Sequence, residues 1–301
     1  MTSSLVGSEM CIRDRNIGWD ASLKYNGSYK DLSYQIGGNV SFSRRKTTKV
    51  YNPIFSTSLN YYRDNTANRW EGGFWGYESA GQFTSQEQID NWKIDNDGKG
   101  NRTMRPGDII YKDLNNDGRI TDLDMRKIGY SGGLPLLNYG ISINANWKGF
   151  DINMLWQGAG KYQYYREWEV QKPAPGDGNS AAMFADRWHR EDPFDLNSAW
   201  IPGKYPSTGS WASGQNNNYD RASDFWLTNI VYLRLKELEL GYTIPQQISL
   251  KAGIKRFRVY FSGTNLITFD NIDIVDPEID IANGVTYPPT KLVSIGFNAT
   301  F

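Results

Sequence analysis

Apolar and polar side chains alternate with a period of two along much of this chain, and this constrains its fold more than any other feature. The clearest case is residues 138–158, where Lys148-Gly149 separates two alternating runs. Successive side chains of a strand point to opposite faces, so each run predicts a strand, and the glycine predicts a tight hairpin turn. The apolar phase consists of Tyr139, Ile141, Ile143, Ala145 and Trp147, followed by Phe150, Ile152, Met154 and Trp156.

The same alternation recurs in five further segments. In one of them the apolar phase slips by one residue near Lys236-Glu237, which predicts a β-bulge. The chain is therefore predicted to be all-β and antiparallel, with about seven strands. The five segments are 18–27, 31–45, 231–245, 257–266 and 291–301.

The connections between the predicted strands differ sharply in length. Those at 27–30, 148–149 and 244–254 are short or modest, whereas those at 46–136, 161–227 and 269–288 are long and rich in Gly, Asn, Asp and aromatic residues. Short turns at one end and long loops at the other are typical of an outer-membrane β-barrel. Strands of about 10 residues or more can cross a bilayer at the usual tilt.

The polar phase of the strands is dominated by Ser, Asn and Gln, which favours a lumen over a packed core. A soluble β-sandwich with one wet face per sheet is the alternative. About seven strands cannot close a wide barrel, and an open edge in lipid leaves backbone groups unsatisfied. The prediction is therefore an antiparallel transmembrane β-barrel, represented by an incomplete set of C-terminal strands with long extracellular loops.

Composition argues against several classes of function. The 33 basic and 33 acidic residues balance, so nothing favours binding to nucleic acid. His189 is the one histidine and Cys11 the one cysteine, which argues against a disulfide, a histidine-ligated zinc site and Ser-His or Cys-His catalysis. Acidic residues in the loops offer no spacing that indicates a glycosidase pair, so no enzyme is predicted. The aromatic content of 14% suits stacking on sugars or a membrane interface.

The first 15 residues differ in pattern from the rest of the chain. They lack the continuous apolar run of a signal peptide, and no stretch of the chain is long and apolar enough for a transmembrane helix. We interpret residues 1–15 as a non-native segment of the kind found at the edges of assembled reading frames. Residues 16–301 are then the C-terminal part of a longer barrel protein.

The segment DLNNDGRITDLD, residues 113–124, has the spacing of a calcium-binding loop. Gly118 occupies the position of the sharp turn, and Asp124 stands where a glutamate is usual. An Asn/Asp/Gly-rich turn without a metal is the alternative, and the similar run at 95–100 lacks the later ligands and is predicted to be a turn only. The predicted calcium ligands are Asp113, Asn115, Asp117, the carbonyl of Arg119, Thr121 and Asp124.

Taken in order, these segments resemble the C-terminal part of SusC/RagA-type TonB-dependent transporters of Bacteroidetes. The resemblance runs from about residue 16 to 301, and its most distinctive run is PGDIIYKDLNNDGRITDLD at 106–124. It implies a barrel of about 22 strands with an internal plug. The other segments that carry it are 73–89, 138–158, 223–245, 257–269, DPEI at 276–279 and the terminal Phe301.

The resemblance also implies a location and a set of partners. It implies the outer membrane of a Gram-negative, Bacteroidetes-like bacterium, a SusD-like lipoprotein lid, and uptake driven by the TonB complex through parts absent from this chain. The terminal aromatic Phe301 resembles the signal read by the barrel-assembly machinery. The cargo expected is an oligosaccharide, or alternatively a peptide, and the tryptophans proposed to contact it are Trp188, Trp200, Trp211 and Trp226.

A different class of function also fits the calcium loop and the aromatic residues. This alternative is a soluble or surface-attached, calcium-dependent, glycan-binding β domain. It predicts a stable monomer in water without detergent, whereas a barrel segment needs lipid or detergent around its apolar face.

Overall fold

A computed structural model describes residues 13–50, 54–174, 178–208, 218–278 and 284–301. The strands in chain order are β1 (Arg13–Tyr29), β2 (Leu32–Lys49), β3 (Arg69–Trp70), β4 (Phe74–Gly76), β5 (Ser79–Gln82), β6 (Ile109–Tyr111), β7 (Arg126–Gly129), β8 (Leu137–Trp147), β9 (Phe150–Tyr165), β10 (His189–Arg190), β11 (Trp200–Ile201), β12 (Leu227–Thr243), β13 (Arg256–Thr264), β14 (Thr268–Asp270) and β15 (Leu292–Thr300). The α-helices are α1 (Ser58–Asp64), α2 (Gln86–Asp90) and α3 (Gln246–Ser249), and short 3-10 turns lie at Asp122–Asp124, Trp168–Val170, Ala182–Ala185, Asp224–Trp226 and Leu250–Ala252.

Seven long strands form one antiparallel sheet in the order β1-β2-β8-β9-β12-β13-β15. The short strands β3 and β14 extend it at the loop ends of β2 and β12. The predicted incomplete set of about seven antiparallel strands is therefore confirmed. The sheet is open, since β1 and β15 each pair along one side only within the described residues.

The alternation seen in the sequence places apolar side chains on one face of this sheet. In the β8–β9 hairpin, Ile141 pairs with Trp156 and Ile143 with Met154. Many side chains on this face are open to solvent, and Leu23 and Ile295 are 79% and 80% exposed. Apolar patches of this extent on a soluble chain mark a surface that something apolar covers.

The opposite face of the sheet is polar and carries paired charges. Arg258 donates from Nε to Asp151 at 3.0 Å and from Nη2 to Glu239 at 2.6 Å, which links three strands side by side. Beside them lies a cleft of about 430 Å³ lined by residues such as Asn144 and Glu237. A hydrated or plugged interior fits these side chains better than a dry core, because unpaired buried polar groups are costly.

The turns between the long strands follow the predictions with one difference. Lys148-Gly149 closes the β8–β9 hairpin with positive φ at both residues, as predicted. The first turn lies at Lys30-Asp31 rather than 27–30, because pairing continues to Tyr29 and Leu32 and Lys30 itself takes a positive φ of 53°. The predicted bulge is confirmed, since the register of β12 against β9 shifts between Leu235 and Glu237.

All three long connections leave the sheet at the same end. They contain the short strands β3–β7 and β10–β11, the helices α1 and α2, and a buried core of their own. We call these connections, residues 54–136, 166–226 and 265–291 where described, the loop layer. Period-two reasoning found none of this local structure, because its elements are only a few residues long.

The segment set aside as non-native is only partly described. Arg13, Asp14 and Arg15 continue β1 and pair with β2, and residues 1–12 lie outside the described residues. Among the described residues, no helix combines the length and apolar character needed to cross a membrane.

Candidate functional site

An aromatic core joins two of the long connections into one packed body. It draws residues from the first connection, such as Tyr111, and from the second, such as Trp226. Rings of Tyr205 and Trp226 stack with centroids 6.2 Å apart. Large buried aromatics dominate the energetics of such cores. The buried members are Tyr77, Ile109, Tyr111, Ile120, Phe184, Tyr205, Tyr219 and Trp226.

Two of the four tryptophans predicted to contact cargo are buried. Trp226 is 0% exposed and its indole nitrogen donates to the carbonyl of Asn218 at 2.8 Å, and Trp188 is 7% exposed. A fully buried ring cannot stack on a ligand, so Trp226 serves in packing, whereas Trp188 is largely packed and borders a cleft of the loop layer. Trp200 is half-buried with Arg190 over its ring at 4.7 Å, and Trp211 lies outside the described residues.

The first half of the calcium-type loop closes on itself through its carboxylates and amides. The amide of Gly118 donates to Asp113 Oδ2 at 2.8 Å, and the amide of Asp117 donates to Asn115 Oδ1 at 3.0 Å. Gly118 takes a φ of 79°, which favours glycine. These oxygen donors lie on one tight turn, as the calcium pattern requires.

The second half of the loop is held differently. Asp124 is fully buried; its Oδ1 accepts from the amide of Leu114 at 2.8 Å, and its Oδ2 accepts from the amide of Thr121 at 2.7 Å. Both carboxylate oxygens therefore bind backbone and tie the two ends of the loop together. Across the described parts of the chain, no three His, Cys, Asp or Glu side chains are grouped to hold a metal. Asp113, Asn115, Asp117 and the carbonyl of Arg119 lie on the first half of the loop, and calcium binding there stays a prediction.

The turn at 95–100 lies directly against this loop. The amide of Asp95 donates to the carbonyl of Gly118 at 2.8 Å, and the amide of Ile120 donates back to the carbonyl of Asp95 at 2.9 Å. Burial opposes ionisation of Asp97, yet hydrogen bonds from Thr103 and neighbouring amides outweigh it and lower the pKa of Asp97 to about 2. The carboxylate of Asp95 accepts from the amides of Lys99 and Gly100, each at 3.0 Å, so two carboxylates organise this turn.

Glu78 clamps the two ends of the calcium-type loop. It pairs with Lys112, which precedes Asp113, and with Arg126, which follows Asp124 by two residues. The hydrogen bond from Lys112 and the nearby positive charge of Arg126 lower the pKa of Glu78. The loop is thus held by a charge pair at each end and by Ile120, which is buried in the aromatic core.

A buried carboxylate sits where the two connections meet. Asp108 accepts from the side-chain amide of Asn218 at 2.7 Å and from the backbone amide of Arg105 at 2.7 Å. Burial raises the pKa of Asp108 to about 7 despite these hydrogen bonds. The hydrogen bond from Asn218 to Asp108 joins residues that lie 110 positions apart in the chain.

A charge cluster holds the third connection against the polar face of the sheet. Arg234 of β12 donates to Asp276 at 2.6 Å and to Glu278 at 2.8 Å, and Lys236 also donates to Glu278 at 2.7 Å. Sequence reasoning assigned no site to these residues. The sequence contains two features that could have indicated this charge cluster. These are the basic residues in the polar phase of a strand and the acidic DPEI run at 276–279.

Phe301 follows β15, and its ring is exposed. Lys255 Nζ donates to the backbone carbonyl of Phe301 at 3.0 Å. Its role as an assembly signal stays a prediction.

Curated relatives are similar to this chain in sequence. No family model matches the chain. TonB-dependent receptor P3 of Formosa agariphila is 26% identical over 318 residues, covering 98% of this chain and 28% of the relative. TonB-dependent receptor P26 of the same species is 28% identical over 242 residues, covering 76% of this chain and 22% of the relative. The chain thus spans less than a third of the length of these relatives.

Solved structures share the fold. The RagAB peptide transporter matches with a TM-score of 0.62 at 20% identity, covering 96% of this chain and 29% of that chain. The closed-closed state of the RagAB peptide importer matches with a TM-score of 0.63 at 21% identity, covering 96% of this chain and 30% of that chain. The predicted resemblance is therefore confirmed: the chain is similar in sequence to part of curated TonB-dependent receptors and shares the fold of the corresponding part of the RagAB structures.

Proposed function

We propose that this chain forms part of a TonB-dependent outer-membrane transporter that imports oligosaccharides. The observation that carries the proposal is the two-faced sheet, with an apolar outward face and a polar, charge-paired inner face. Side chains such as Leu23 and Ile295 are exposed on the outward face, and lipid would cover them. The alternative of a soluble glycan-binding domain leaves that face in water.

The partners in this proposal are those of a transporter of this kind. A SusD-like lipoprotein would close over the loop layer, outer-membrane lipid would surround the sheet, and the TonB complex would act through parts of the protein outside this chain. The barrel-assembly machinery would read the exposed terminal Phe301. The names of the similar RagAB structures refer to peptide transport, so a peptide is the competing cargo.

A matched pair of substitutions tests the two-faced sheet in the full-length receptor. Ile141→Lys places a charge on the outward face, where a cation near the bilayer midplane costs about 2–4 kcal/mol, whereas Ser142→Lys places it on the inner face. We expect Ile141→Lys alone to reduce the heat-modifiable, folded fraction in outer-membrane extracts. Equal folding of both variants, or recovery of the receptor as a water-soluble monomer, would contradict the proposal.

A separate experiment tests whether the cargo is an oligosaccharide or a peptide. Uptake of labelled oligosaccharides and labelled peptides is compared in cells with the intact receptor and in cells lacking it. Receptor-dependent entry of oligosaccharide supports the proposal, and receptor-dependent entry of peptide alone replaces it with the competing cargo.

Calcium is proposed as a structural ion of the loop layer. Asp113, Asn115, Asp117 and the carbonyl of Arg119 would hold it, while Thr121 and Asp124 close the loop behind it. Bound calcium would supply positive charge that relieves repulsion among the carboxylates. Limited proteolysis of residues 90–135 in the intact receptor tests this, because equal protection in chelator and in millimolar calcium would rule out a stabilising ion.

A further inference from the structure

Three arginines that form no ion pair with any described residue line one cleft of the loop layer. Arg105 comes from the first connection, and Arg187 and Arg190 come from the second. The cleft has a volume of about 520 Å³. Among the described residues, no acidic side chain lies within ion-pair distance of any of the three, although Glu191 also lines the cleft.

Two of these arginines are held in position by the protein itself. Arg190 donates from Nη1 to the carbonyl of Ser198 at 2.6 Å and lies over the ring of Trp200 at 4.7 Å. Arg187 donates from Nη1 to the carbonyl of Phe184 at 3.2 Å. Each of these bonds uses one of the five N–H groups of a guanidinium, so donors remain for a ligand. Preorganised guanidinium groups bind planar anions well, because less side-chain entropy is lost.

His189 adds a further polar group to the cleft, whereas the Nε1–H of Trp188, which also lines it, is buried away from solvent. His189 donates from Nδ1 to the carbonyl of Arg187 at 2.9 Å, which orients its ring at the cleft.

We propose that this cleft binds the anionic group of an acidic saccharide, a uronate carboxylate or a sulfate ester. The inference rests on the proposed import of oligosaccharides and narrows the cargo to acidic ones. The arginines would neutralise the anion, and the exposed part of the Trp200 ring would pack on the sugar. A neutral saccharide would leave the positive charge of the three arginines only partly offset, by Glu191 in the cleft and by Asp108 near Arg105.

The test uses the full-length receptor purified in detergent and follows its tryptophan fluorescence. Glucuronate and glucose 6-sulfate are titrated in separate arms, with glucose and glutamate as comparison ligands, all at the same ionic strength. We expect a saturable response to at least one acidic sugar and none to glucose. Losing one charged hydrogen-bond donor should weaken that affinity by about tenfold or more in Arg187→Gln and in Arg190→Gln.

Arg102→Gln is the matched control, because Arg102 is exposed, donates to the carbonyl of Lys99 at 2.9 Å and does not line the cleft. An unchanged proteolysis pattern verifies that each variant is folded, and Arg190→Lys should recover part of the affinity. Absence of a saturable response to both acidic sugars, a response that survives both glutamine variants, or an equal response to glutamate would overturn the inference. Uptake of neutral oligosaccharide by these variants is a separate readout, so the import proposal can stand if this inference falls.

Discussion

Arg234 and Asp276 form a buried ion pair that ties the third connection to the polar face of the sheet. Their nitrogen–oxygen distance is 2.6 Å, and the side chain of Arg234 is 3% exposed. Glu278 binds the same guanidinium and also Lys236, so two cations face two carboxylates. This cluster fixes the end of the third connection at residues 276–278, while β14 pairs with β12 and Asn271 bonds to Asn229 and Val231 earlier in the segment.

Removing this arginine should loosen the third connection around Asp276 and Glu278. Arg234→Gln leaves Asp276 and Glu278 short of a partner in a largely buried place, and breaking such a pair costs about 3–5 kcal/mol. We expect faster hydrogen exchange of residues 265–278 in the intact receptor. Arg256→Gln, at an exposed position of β13 with no ion pair among the described residues, is the control. Unchanged exchange in Arg234→Gln would show that other contacts hold the segment.

Trp226, which is fully buried, and Trp200, which is half-buried, should respond differently to truncation. Trp226→Ala opens a cavity in the aromatic core, and such truncations cost about 3–5 kcal/mol. Trp200→Ala removes a half-buried ring whose contact with Arg190 is worth about 1 kcal/mol. Pulse proteolysis of the loop layer measures the loss of stability in each of the two variants. Comparable losses would contradict the assignment of Trp226 to packing and of Trp200 to the cleft.

Lowering the pH should stabilise the folded structure around Asp108. Folding raises the pKa of Asp108 from 3.8 to about 7, so the folded protein binds the proton of this carboxyl more tightly than the unfolded chain does. The stability that protonated Asp108 contributes to the folded state is fully present below about pH 4 and is lost as the pH rises through about 7. Its total is up to about 4 kcal/mol.

Local stability of residues 83–111, followed by proteolysis between pH 4 and 8, measures this effect. Asp108→Asn should flatten the profile, whereas Asp90→Asn, at an exposed position of α2, should leave it unchanged. A profile identical in all three proteins would assign the pH dependence to other groups.

The clamp at Glu78 should contribute modestly to the calcium-type loop. Glu78→Gln removes the charge that Lys112 and Arg126 share, but both partners are about half exposed, so solvent screening limits the loss to about 1 kcal/mol. A double-mutant cycle with Lys112→Gln isolates the pair. A coupling energy near zero would assign the order of the loop to Asp124 and Ile120 alone.

Calcium affinity should depend on the first half of the loop. Asp113→Asn and Asp117→Asn each remove a proposed ligand charge, and we expect protection of residues 90–135 to need at least about tenfold more calcium. Asp122→Asn lies in the same loop, binds the hydroxyl of Tyr77 and is not a proposed ligand, so it is the control. Equal calcium dependence in all three variants would contradict the assignment.

The sequence alone determined the long strands, their pairing as hairpins, the bulge near Lys236 and the turn at Lys148-Gly149. These features follow from local rules, because side-chain direction in a strand repeats every two residues and turn geometry depends on the residues of the turn. The resemblance to SusC/RagA-type receptors was also readable, since its motifs occur in order along the chain.

The tertiary structure decided how the loop layer packs. Asp108 meets Asn218 across 110 residues, Arg234 meets Asp276 across 42, and Trp226 lies in a core built from two connections. No periodic pattern encodes such contacts, because each depends on where the sheet brings distant segments together. For the same reason Asp124, read from spacing as a calcium ligand, lies in the structure as a buried acceptor for the amides of its own loop.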